Sequence, residues 1–413
     1  MLINYLKIAL KVLGRRKFFT FISLFGITLT LVVLMVAAAI LDNAFAPQQP
    51  ESRFDRVLGV YMISMRGPHW TSTSNPGFKF VDQYVKDLPG AEATSIFTGS
   101  SPMVVYHERR KIETHLRRTD GNYWRILDFK FLEGGPFTAE DDRNANFVAV
   151  ITDDMRERFY GPNAKALGKT FTIDGQRFRV VGVVPAVPIT RRAGFSEIWT
   201  PVRTIKGQYQ QELIGNFSAI VLAHSKSDFP ALRSVFAQRL ANFKFDDPKN
   251  FNRVIAGLDT TFEATARNIL GNTDDVNRPL VLRLIIVGVA LLFITLPTVN
   301  LVSINLSRIM ERASEIGVRK AFGASSRKLI GQFVMENVVL TAIGGAIAFV
   351  LATWILSVIS RAQFVPYATF EVNFRIFGYG LLLAAFFGIV SGVYPAWRMS
   401  RMHPVNALRG GAQ

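Results

Sequence analysis

Four long apolar segments constrain the fold of this 413-residue chain more than any other feature. A helix that crosses a bilayer needs about 20 mostly apolar residues, and four segments of the sequence meet that requirement. They are residues 18–41, 284–306, 333–359 and 374–397. The sequence therefore predicts a membrane protein with four transmembrane α-helices, and an overall apolar content of 49% agrees with that class.

The distribution of charge predicts which segments face the cytoplasm. Residues 1–17 hold five basic and no acidic side chains, residues 307–332 hold six and two, and residues 398–413 hold three basic side chains. Residues 42–282 hold 31 basic and 27 acidic side chains, which nearly cancel. Because short cytoplasmic loops carry excess lysine and arginine, the net charge of +17 reflects membrane topology. Nucleic acid is not an expected partner.

With these three basic segments inside, both termini are cytoplasmic. Residues 42–283 and the short loop 360–373 then lie on the periplasmic side of a bacterial inner membrane. The alternative for the first span is a cleaved signal peptide, because Ala44-Phe45-Ala46 resembles a cleavage site. The apolar run is longer than in a signal peptide and Pro47 is a poor cleavage context, so a retained anchor is favoured.

Residues 42–283 combine strand and helix patterns, which predicts a large α+β domain between spans 1 and 2. The predicted elements include a strand at 56–63, a helix at 76–88 and a strand at 147–151 before a helix capped by Thr152. Two subdomains are expected, with residues 100–200 inserted into the other. The strongest local pattern is residues 169–184, where Asp174-Gly175 joins two β-rich runs as in a hairpin.

No pattern in the sequence predicts a catalytic, cofactor-binding or metal-binding site. The five histidines lack zinc-ligand spacing; they are His69, His107, His115, His224 and His403. Glu140, Asp141 and Asp142 are interpreted as a solvated turn. Cysteine is absent, which excludes disulfides and thiolate metal sites.

One segment imitates a nucleotide-binding motif. Residues 163–170, NAKALGKT, end like a phosphate-binding loop, but Asn163 stands where the first glycine is required. That loop should leave a strand and open a helix, whereas this segment leaves a predicted helix and opens a hairpin. Nucleotide binding is therefore not expected here.

Small residues recur every four positions in two predicted spans. They are Gly344, Ala348 and Ala352 in the third span, and Gly380, Ala384, Gly388 and Gly392 in the fourth. Small side chains at this spacing let helix backbones approach closely, so both sets are predicted helix-packing positions. Glycine tolerated without a specific interface is the alternative. Polar residues are few in the spans, which disfavours a secondary transporter.

The charged loop 307–332 predicts a helix, a sharp turn and a second helix. Glu311, Glu315 and Arg319 are spaced by four residues, so they share one helix face. A neighbouring stripe contains Ile309, Ala313 and Ile316. Gly323 suits the end of this helix, and Ser325 or Ser326 can cap the next one. A solvated connector fits these features as well as a docking element does.

The same loop resembles a known family. Residues 311–337, ERASEIGVRKAFGASSRKLIGQFVMEN, closely resemble the E-I-G-[IV]-R-K-A-x-G-A-x-x-x-x-[IL] signature of FtsX-like and MacB-like ABC transporter permeases. Residues 392–410, GVYPAWRMSRMHPVNALRG, resemble the end of these permeases, and residues 127–184 resemble their periplasmic core domain. The positions that match the two motifs are Glu315, Ile316, Gly317, Arg319, Lys320, Gly323 and Ala324, then Pro395, Pro404, Ala407, Leu408 and Arg409.

The resemblance implies a coupling role for the loop 307–332. Permeases of this family work as dimers with two ATPase subunits on the cytoplasmic face, and the loop helix would fit a groove of the ATPase. The implied ATPase-coupling residues are Glu311, Arg312, Glu315, Ile316, Gly317, Arg319, Lys320, Phe322, Gly323 and Ala324. Either the Glu311/Glu315/Arg319 face or the Ile309/Ala313/Ile316 stripe would dock.

The resemblance also implies that the chain is a transport subunit and not an enzyme. The family's macrolide exporters carry their ATPase before the first span, whereas 17 residues precede Phe18 here. A separate ATPase, which binds ATP and Mg, is therefore expected, and no cofactor is expected on this chain. The permease would be a homodimer or a heterodimer with a paralogue.

The expected function is mechanotransmission. ATP-driven motion would reach the periplasmic domain without substrate passing through the spans. The favoured purpose is efflux of antibiotics, peptides or other small molecules from the periplasm, through a periplasmic adaptor and an outer-membrane duct. Lipoprotein extraction and regulation of cell-wall hydrolases are alternatives within the family, and a membrane sensor or receptor is an alternative of another class.

Overall fold

The structure is a computed structural model that describes residues 11, 13–15, 17–107, 110–271, 277–311, 318, 322, 326–375, 377–382, 385–386, 389 and 393. The chain divides into two compact units. The helical unit comprises the residues up to Asp42, Leu284–Phe364 and the residues from Thr369 onward. The α+β unit comprises Asn43–Arg283 and Val365–Ala368.

Helices and strands alternate through the α+β unit, and the described elements of the helical unit are helices. The helices are α1 (Lys17–Phe45), α2 (Phe78–Tyr84), α3 (Tyr123–Ile126), α4 (Ala139–Arg143), α5 (Asp153–Tyr160), α6 (Phe229–Ala241), α7 (Thr261–Leu270), α8 (Arg278–Glu311) and α9 (Ser326–Arg361). The strands are β1 (Val57–Val60), β2 (Ile63–Arg66), β3 (Thr71–Pro76), β4 (Ala91–Thr98), β5 (Ser101–His107), β6 (Arg110–Thr119), β7 (Glu133–Gly134), β8 (Val148–Thr152), β9 (Thr170–Ile173), β10 (Gln176–Val184), β11 (Ile198–Pro201), β12 (Ile214–Gly215), β13 (Phe217–Ala223) and β14 (Arg253–Ala256).

Two described helices of the chain, over Lys17–Phe45 and Val334–Arg361, are long and apolar enough to cross a membrane. They cover the predicted first and third spans. Helix α8 covers the predicted second span, and the predicted fourth span is described only in part. The count of four spans stays a prediction.

Ten strands form the larger sheet of the α+β unit, in the order β1-β13-β4-β6-β11-β8-β10-β9-β5, with β7 beside β10. The pairs β6–β11 and β8–β10 are parallel, and the other pairs are antiparallel. The smaller sheet has the order β12-β3-β2-β14. Strand β13 reads FSAIVLA and is buried along its whole length, as expected of a central strand covered on both faces.

Part of the larger sheet closes on itself. Strand β5 pairs with β6 from Ser101–Leu116 to His107–Arg110, and it also pairs with β9 through Tyr106 and Thr172. Six strands, β6, β11, β8, β10, β9 and β5, therefore form a ring. Its interior is apolar and includes Ile151, Phe171 and Phe178, so ring closure removes apolar surface from water.

The core beside the ring has two further parts. One gathers around α2, α6 and β13, where Phe80 and Val81 are fully buried. The other is aromatic and contains Tyr123 and Trp199, both fully buried, with Phe137 packed nearby. The Trp199 indole N–H donates to the Tyr123 hydroxyl at 3.2 Å, which gives this apolar region a satisfied polar pair.

Two local predictions are confirmed. Strands β9 and β10 form the predicted hairpin, and Asp174 and Gly175 have φ angles of 48° and 74°. Positive φ at both turn positions is the geometry of a type I′ turn. Thr152 caps α5, because its hydroxyl accepts the backbone N–H of Met155 at 3.2 Å.

Three local expectations need correction. The strand predicted at 56–63 is two strands, because the chain leaves β1 after Val60 and enters the other sheet as β2. The helix predicted at 76–88 covers only Phe78–Tyr84, and Asp87 beyond it has a φ of 50°, which ends helical geometry. Asp142 is not solvated: it is 9% exposed and accepts the backbone N–H of Arg203 at 3.1 Å.

Candidate functional site

The predicted coupling loop lies largely outside the described residues. Helix α8 ends at Glu311 and α9 begins at Ser326. Phe322 is described between them: its N–H donates to the Val318 carbonyl at 3.1 Å, and its side chain is 88% exposed. The remaining coupling residues fall on undescribed positions; they are Arg312, Glu315, Ile316, Gly317, Arg319, Lys320, Gly323 and Ala324. The coupling role of the loop stays a prediction.

Small residues of α9 lie against α1 within the helical unit. Ala348 and Ala352 are fully buried in a cluster that includes Leu31 of α1. A Cβ placed on Gly344 would lie 2.8 Å from the Ile27 Cγ2, which is closer than carbon atoms pack. The absence of a side chain at Gly344 therefore allows α1 and α9 to approach this closely.

The small residues of the predicted fourth span are described only at Gly380. A Cβ there would lie 3.3 Å from the Leu31 Cδ2. Ala384, Gly388 and Gly392 fall outside the described residues. Helix packing by this set stays a prediction.

Buried polar side chains accompany the same helix contact. Glu336, Asn337 and Thr341 on α9 are at most 5% exposed. The Gln332 amide donates to Glu336 Oε1 at 3.2 Å, and the Thr28 hydroxyl of α1 donates to the Gly344 carbonyl at 3.3 Å. Polar groups in a membrane bundle are costly unless partnered. The Thr28 bond joins the two helices and therefore favours one register of α1 on α9, whereas the Gln332–Glu336 bond lies within α9.

A buried polar network holds the start of the α+β unit. Glu51 is 2% exposed, and its Oε1 accepts the backbone N–H groups of Ala193 and Gly194, both at 2.9 Å. The Arg191 guanidinium lies 3.9 Å from Glu51 Oε2 and donates to the Ala46 carbonyl at 2.7 Å. We call these five residues the Glu51 network. Burial raises the pKa of the Glu51 carboxyl, although the two N–H groups and Arg191 act in the opposite direction.

Residues of the ring line a cleft of about 870 Å³. Its lining mixes apolar, aromatic and acidic side chains and includes Met103, Tyr106, His115, Phe195, Glu197 and Tyr367. Tyr367 does not come from the ring itself. It belongs to the four-residue segment Val365–Ala368, which follows α9 in the chain and is part of the α+β unit.

Glu197 is the centre of the polar contacts in this cleft. The Tyr367 hydroxyl donates to Glu197 Oε1 at 2.7 Å, and the backbone N–H of His115 donates to Oε2 at 2.7 Å. Arg158 contributes its guanidinium 3.3 Å from Oε1. Burial alone would raise the pKa of this carboxyl, but hydrogen bonds, led by those from the Tyr367 hydroxyl and the His115 backbone N–H, outweigh burial and lower it. Glu197 is therefore a carboxylate at neutral pH.

The segment 163–170 follows α5 and leads into β9, which is the context expected from the sequence. Among the described residues, no group of three or more acidic or histidine side chains is placed to hold a metal ion.

Comparisons with known proteins match both parts of the chain. Residues 20–239 match the MacB-like periplasmic core domain, and residues 287–404 match the FtsX-like permease C-terminal region. The first match alone covers more than half of the chain. The chain belongs to the MacB/FtsX family of ABC transporter permeases. Members of this family are membrane permeases with a periplasmic domain, and they work with an ATPase.

Two proteins similar to this chain differ in their named parts: one is a permease, and the other is an ATP-binding/permease protein. The uncharacterized ABC transporter permease YknZ of Bacillus subtilis strain 168 is 26% identical over 337 residues, which are 80% of this chain and 79% of YknZ. The macrolide export ATP-binding/permease protein MacB of Bradyrhizobium diazoefficiens is 25% identical over 325 residues, which are 75% of this chain and 45% of that protein. The chain thus spans less than half of that MacB.

A solved structure also resembles part of this permease. The extracellular domain of YknZ from Gram-positive bacteria covers 48% of this chain and 99% of that domain, with 16% sequence identity and a TM-score of 0.37.

Reasoning from the sequence missed the polar centres of the α+β unit. Glu197 stands between Phe195 and Trp199 in the sequence, and a lone carboxylate in such an apolar run is a signal of a buried, partnered acid. Glu51 and Tyr367 gave no comparable signal. Their partners are distant in sequence, so only the fold reveals their contacts.

Proposed function

We propose that this chain is the permease subunit of an ABC transporter that passes the motion of a separate, cytoplasmic ATPase to its periplasmic α+β unit. ATP and Mg bind to the ATPase, and this chain performs no chemistry. The transported molecules are antibiotics, peptides or other small molecules, which leave the periplasm without crossing the spans.

One observation carries this proposal: a MacB-like periplasmic domain and an FtsX-like permease region follow each other in one chain. The name of the MacB relative, a macrolide export protein, supports efflux as the purpose. The packing of the α+β unit agrees with transmitted motion. Its ring and its two other core clusters are closely packed, and a closely packed unit moves as a rigid body.

The helical unit also suits this function. The contact of α1 with α9 is mainly apolar, and two of the polar side chains described there, Thr28 and Glu336, have hydrogen-bond partners at 3.3 and 3.2 Å. A helix pair of this kind supplies few groups that a hydrophilic substrate would need along a path through the membrane. It can tilt or shift as a whole when force is applied at the cytoplasmic end.

The proposal includes the topology expected from the sequence. Four spans place both termini and the loop 307–332 in the cytoplasm, and residues 42–283 and 360–373 in the periplasm. The permease is a dimer, either of two identical chains or with a paralogue. A periplasmic adaptor and an outer-membrane duct complete the route out of the cell.

Copurification tests the coupling loop. A tagged chain, solubilised in detergent from its own bacterium, should bring down an ATPase in stoichiometric amount. Charge reversal by Glu315→Lys or Arg319→Glu should lower ATPase recovery at least tenfold, because each change reverses a charge on the helix face that would enter the docking groove. Glu371→Lys is the control, since this exposed residue lies in the predicted periplasmic loop.

Recovery of no ATPase with the unmodified chain would contradict the proposal. So would equal recovery with Glu315→Lys, Arg319→Glu and the control. Susceptibility of a deletion strain to a panel of antibiotics then tests efflux. Unchanged susceptibility and unchanged secretion of small molecules would remove efflux as the purpose while leaving ATPase coupling intact.

A further inference from the structure

The chain passes between the helical unit and the α+β unit at more than its two obvious junctions. The junctions at 42–43 and 283–284 bracket the main part of the α+β unit. Two further junctions, at 364–365 and 368–369, bracket the segment Val365–Ala368. The loop that joins the predicted third and fourth spans therefore contributes four residues to the α+β unit.

Backbone and side-chain bonds fasten this segment. The Pro366 carbonyl accepts the N–H of Ile189 at 3.2 Å, and Ala368 is fully buried. The Tyr367 hydroxyl donates to Glu197 at 2.7 Å. Hydrogen bonds to a charged acceptor are stronger than neutral ones, so the bond to the Glu197 carboxylate is stronger than the backbone bond at Pro366.

The backbone at Tyr367 is unfavourable by itself. Its φ angle is 60°, a left-handed conformation that side chains larger than glycine seldom adopt. Such a conformation persists only where surrounding contacts hold it. The contacts of Tyr367 therefore maintain a geometry that the free loop would leave.

Two carboxylates, of Glu197 and Asp154, lie at different distances from the Tyr367 hydroxyl. Asp154 Oδ2 lies 3.0 Å from the same hydroxyl oxygen, but the hydroxyl has one proton, and Glu197 receives it over the shorter distance. Arg158 lies 3.6 Å from Asp154 and 3.3 Å from Glu197, so one guanidinium serves both carboxylates. Removing the hydroxyl would leave the buried Glu197 short of a donor, whereas an amide at position 154 would add a donor for the hydroxyl oxygen.

We propose that Tyr367 is a positioning residue for force transmission: it fastens the loop between spans three and four to the ring, as a third attachment of the α+β unit. This inference rests on the proposed function, because it states how motion of the helices reaches the ring. A body held only at two points can rotate about the line that joins them. A third attachment removes this rotation, so displacement of the helices on either side of the loop moves the ring.

Hydrogen exchange of the full chain in detergent tests the fastening. In Tyr367→Phe, the backbone amides of Val365, Tyr367 and Ala368 should exchange about tenfold faster than in the unmodified chain, because loss of a bond to a charged group raises the population of the open segment. Tyr106→Phe is the matched control, since Tyr106 lines the same cleft but is 58% exposed; its exchange at 365–368 should not change.

Asp154→Asn separates this arrangement from general damage to the site. The amide N–H of asparagine can donate to the Tyr367 hydroxyl oxygen, so exchange at 365–368 should stay equal or become slower. Equal exchange in Tyr367→Phe and the unmodified chain overturns the proposal. Acceleration in Asp154→Asn as large as in Tyr367→Phe does the same, because it would show that any change near Glu197 loosens the segment.

The second arm uses the complex with the copurified ATPase. Addition of ATP and Mg should change hydrogen exchange in strand β8 of the ring and in helix α5, which follows it, and this change should fall at least fivefold in Tyr367→Phe but persist in Tyr106→Phe. An undiminished response in Tyr367→Phe overturns transmission through Tyr367. If the unmodified chain recovers no ATPase, the proposed function fails, while the exchange comparison without nucleotide still decides whether Tyr367 fastens the loop.

Discussion

Truncation of Glu51 should strongly destabilise the α+β unit. Glu51→Ala removes the acceptor of two buried backbone N–H groups, at Ala193 and Gly194. Each buried donor left unpaired costs about 1–3 kcal/mol, and breaking a buried ion pair costs about 3–5 kcal/mol. Because Arg191 keeps its bond to the Ala46 carbonyl, the ion-pair cost does not apply in full. The two unpaired N–H groups therefore set the expected loss in the free energy of unfolding, about 4 kcal/mol.

Glu51→Gln should cost much less, about 1 kcal/mol. The side-chain carbonyl of glutamine can still accept both N–H groups. Since burial raises the pKa of the Glu51 carboxyl, a neutral side chain is a tolerable replacement at this position. Glu92→Ala is the control for loss of an ordinary ion pair. Its partner Arg56 lies 2.8 Å away, and both side chains are partly exposed, so the cost should be below about 1 kcal/mol.

Urea unfolding of the full chain in detergent, followed by tryptophan fluorescence, measures these differences. Trp199 is fully buried in the aromatic part of the core and should report its opening. With a slope of about 2–3 kcal/mol per molar urea, Glu51→Ala should lower the midpoint by about 1.5 M, and Glu92→Ala by less than about 0.5 M. Equal midpoints for Glu51→Ala and Glu92→Ala, or for Glu51→Ala and Glu51→Gln, would refute the reasoning.

Three further predictions concern single positions. Gly134 has a φ of 60°, and a Cβ there would lie 2.1 Å from a strand carbonyl oxygen. Gly134→Ala should therefore lower the urea midpoint by about 1 M. Gly135→Ala should leave the midpoint unchanged, because the space around its Cβ position is open. Gly344→Leu should separate α1 from α9 and lower the thermal midpoint in detergent by several degrees, and Gly331→Leu on the same helix, also facing open space, should leave it unchanged. Burial raises the pKa of Asp120 to about 6. The folded protein therefore binds this proton more tightly than the unfolded chain, and the stability that Asp120 contributes rises as pH falls from about 7 to 4. Relative to Asp120→Asn, the unmodified chain should gain about 2 kcal/mol over that range; an unchanged difference would show that Asp120 does not titrate there.

Local features of the fold could be predicted from the sequence because they depend on adjacent residues. The hairpin over residues 169–184 follows from Asp174-Gly175, two residues that tolerate positive φ. The cap at Thr152 follows from a hydroxyl placed three residues before a free N–H group. The apolar helices α1 and α9 follow from their length and composition.

Features that depend on distant contacts could not be predicted in this way. The run 56–63 has uniform strand propensity, and nothing in it shows that Val60 and Ile63 pair with different sheets. Asp142 stands in an acidic run that is typical of solvated turns, but the backbone of Arg203, 61 residues later, buries it. The hydrogen bond from Tyr367 to Glu197 joins residues 170 positions apart in the sequence, so neither periodicity nor a local motif predicts it.

Function was predictable to the extent that motifs carry it. The signature around Glu315 and Arg319 and the terminal motif around Pro404 resemble those of the family, and the matches to the two family regions confirm that membership. Motifs do not describe mechanical contacts. The Glu51 network and Tyr367 use ordinary residues, and their significance arises from burial and from the parts of the chain that they join.

One junction of the ring, between β5 and β9, is paired less extensively than the others. Among the described residues, each of the other five junctions between ring strands has two or more residue pairs, whereas β5 pairs with β9 at Tyr106 and Thr172 alone. Opening the ring at this junction breaks fewer backbone hydrogen bonds than opening it elsewhere, so local unfolding should begin there. A force applied across the ring should therefore separate β5 from β9 before it disturbs the apolar interior. The core would stay packed while this one junction opens.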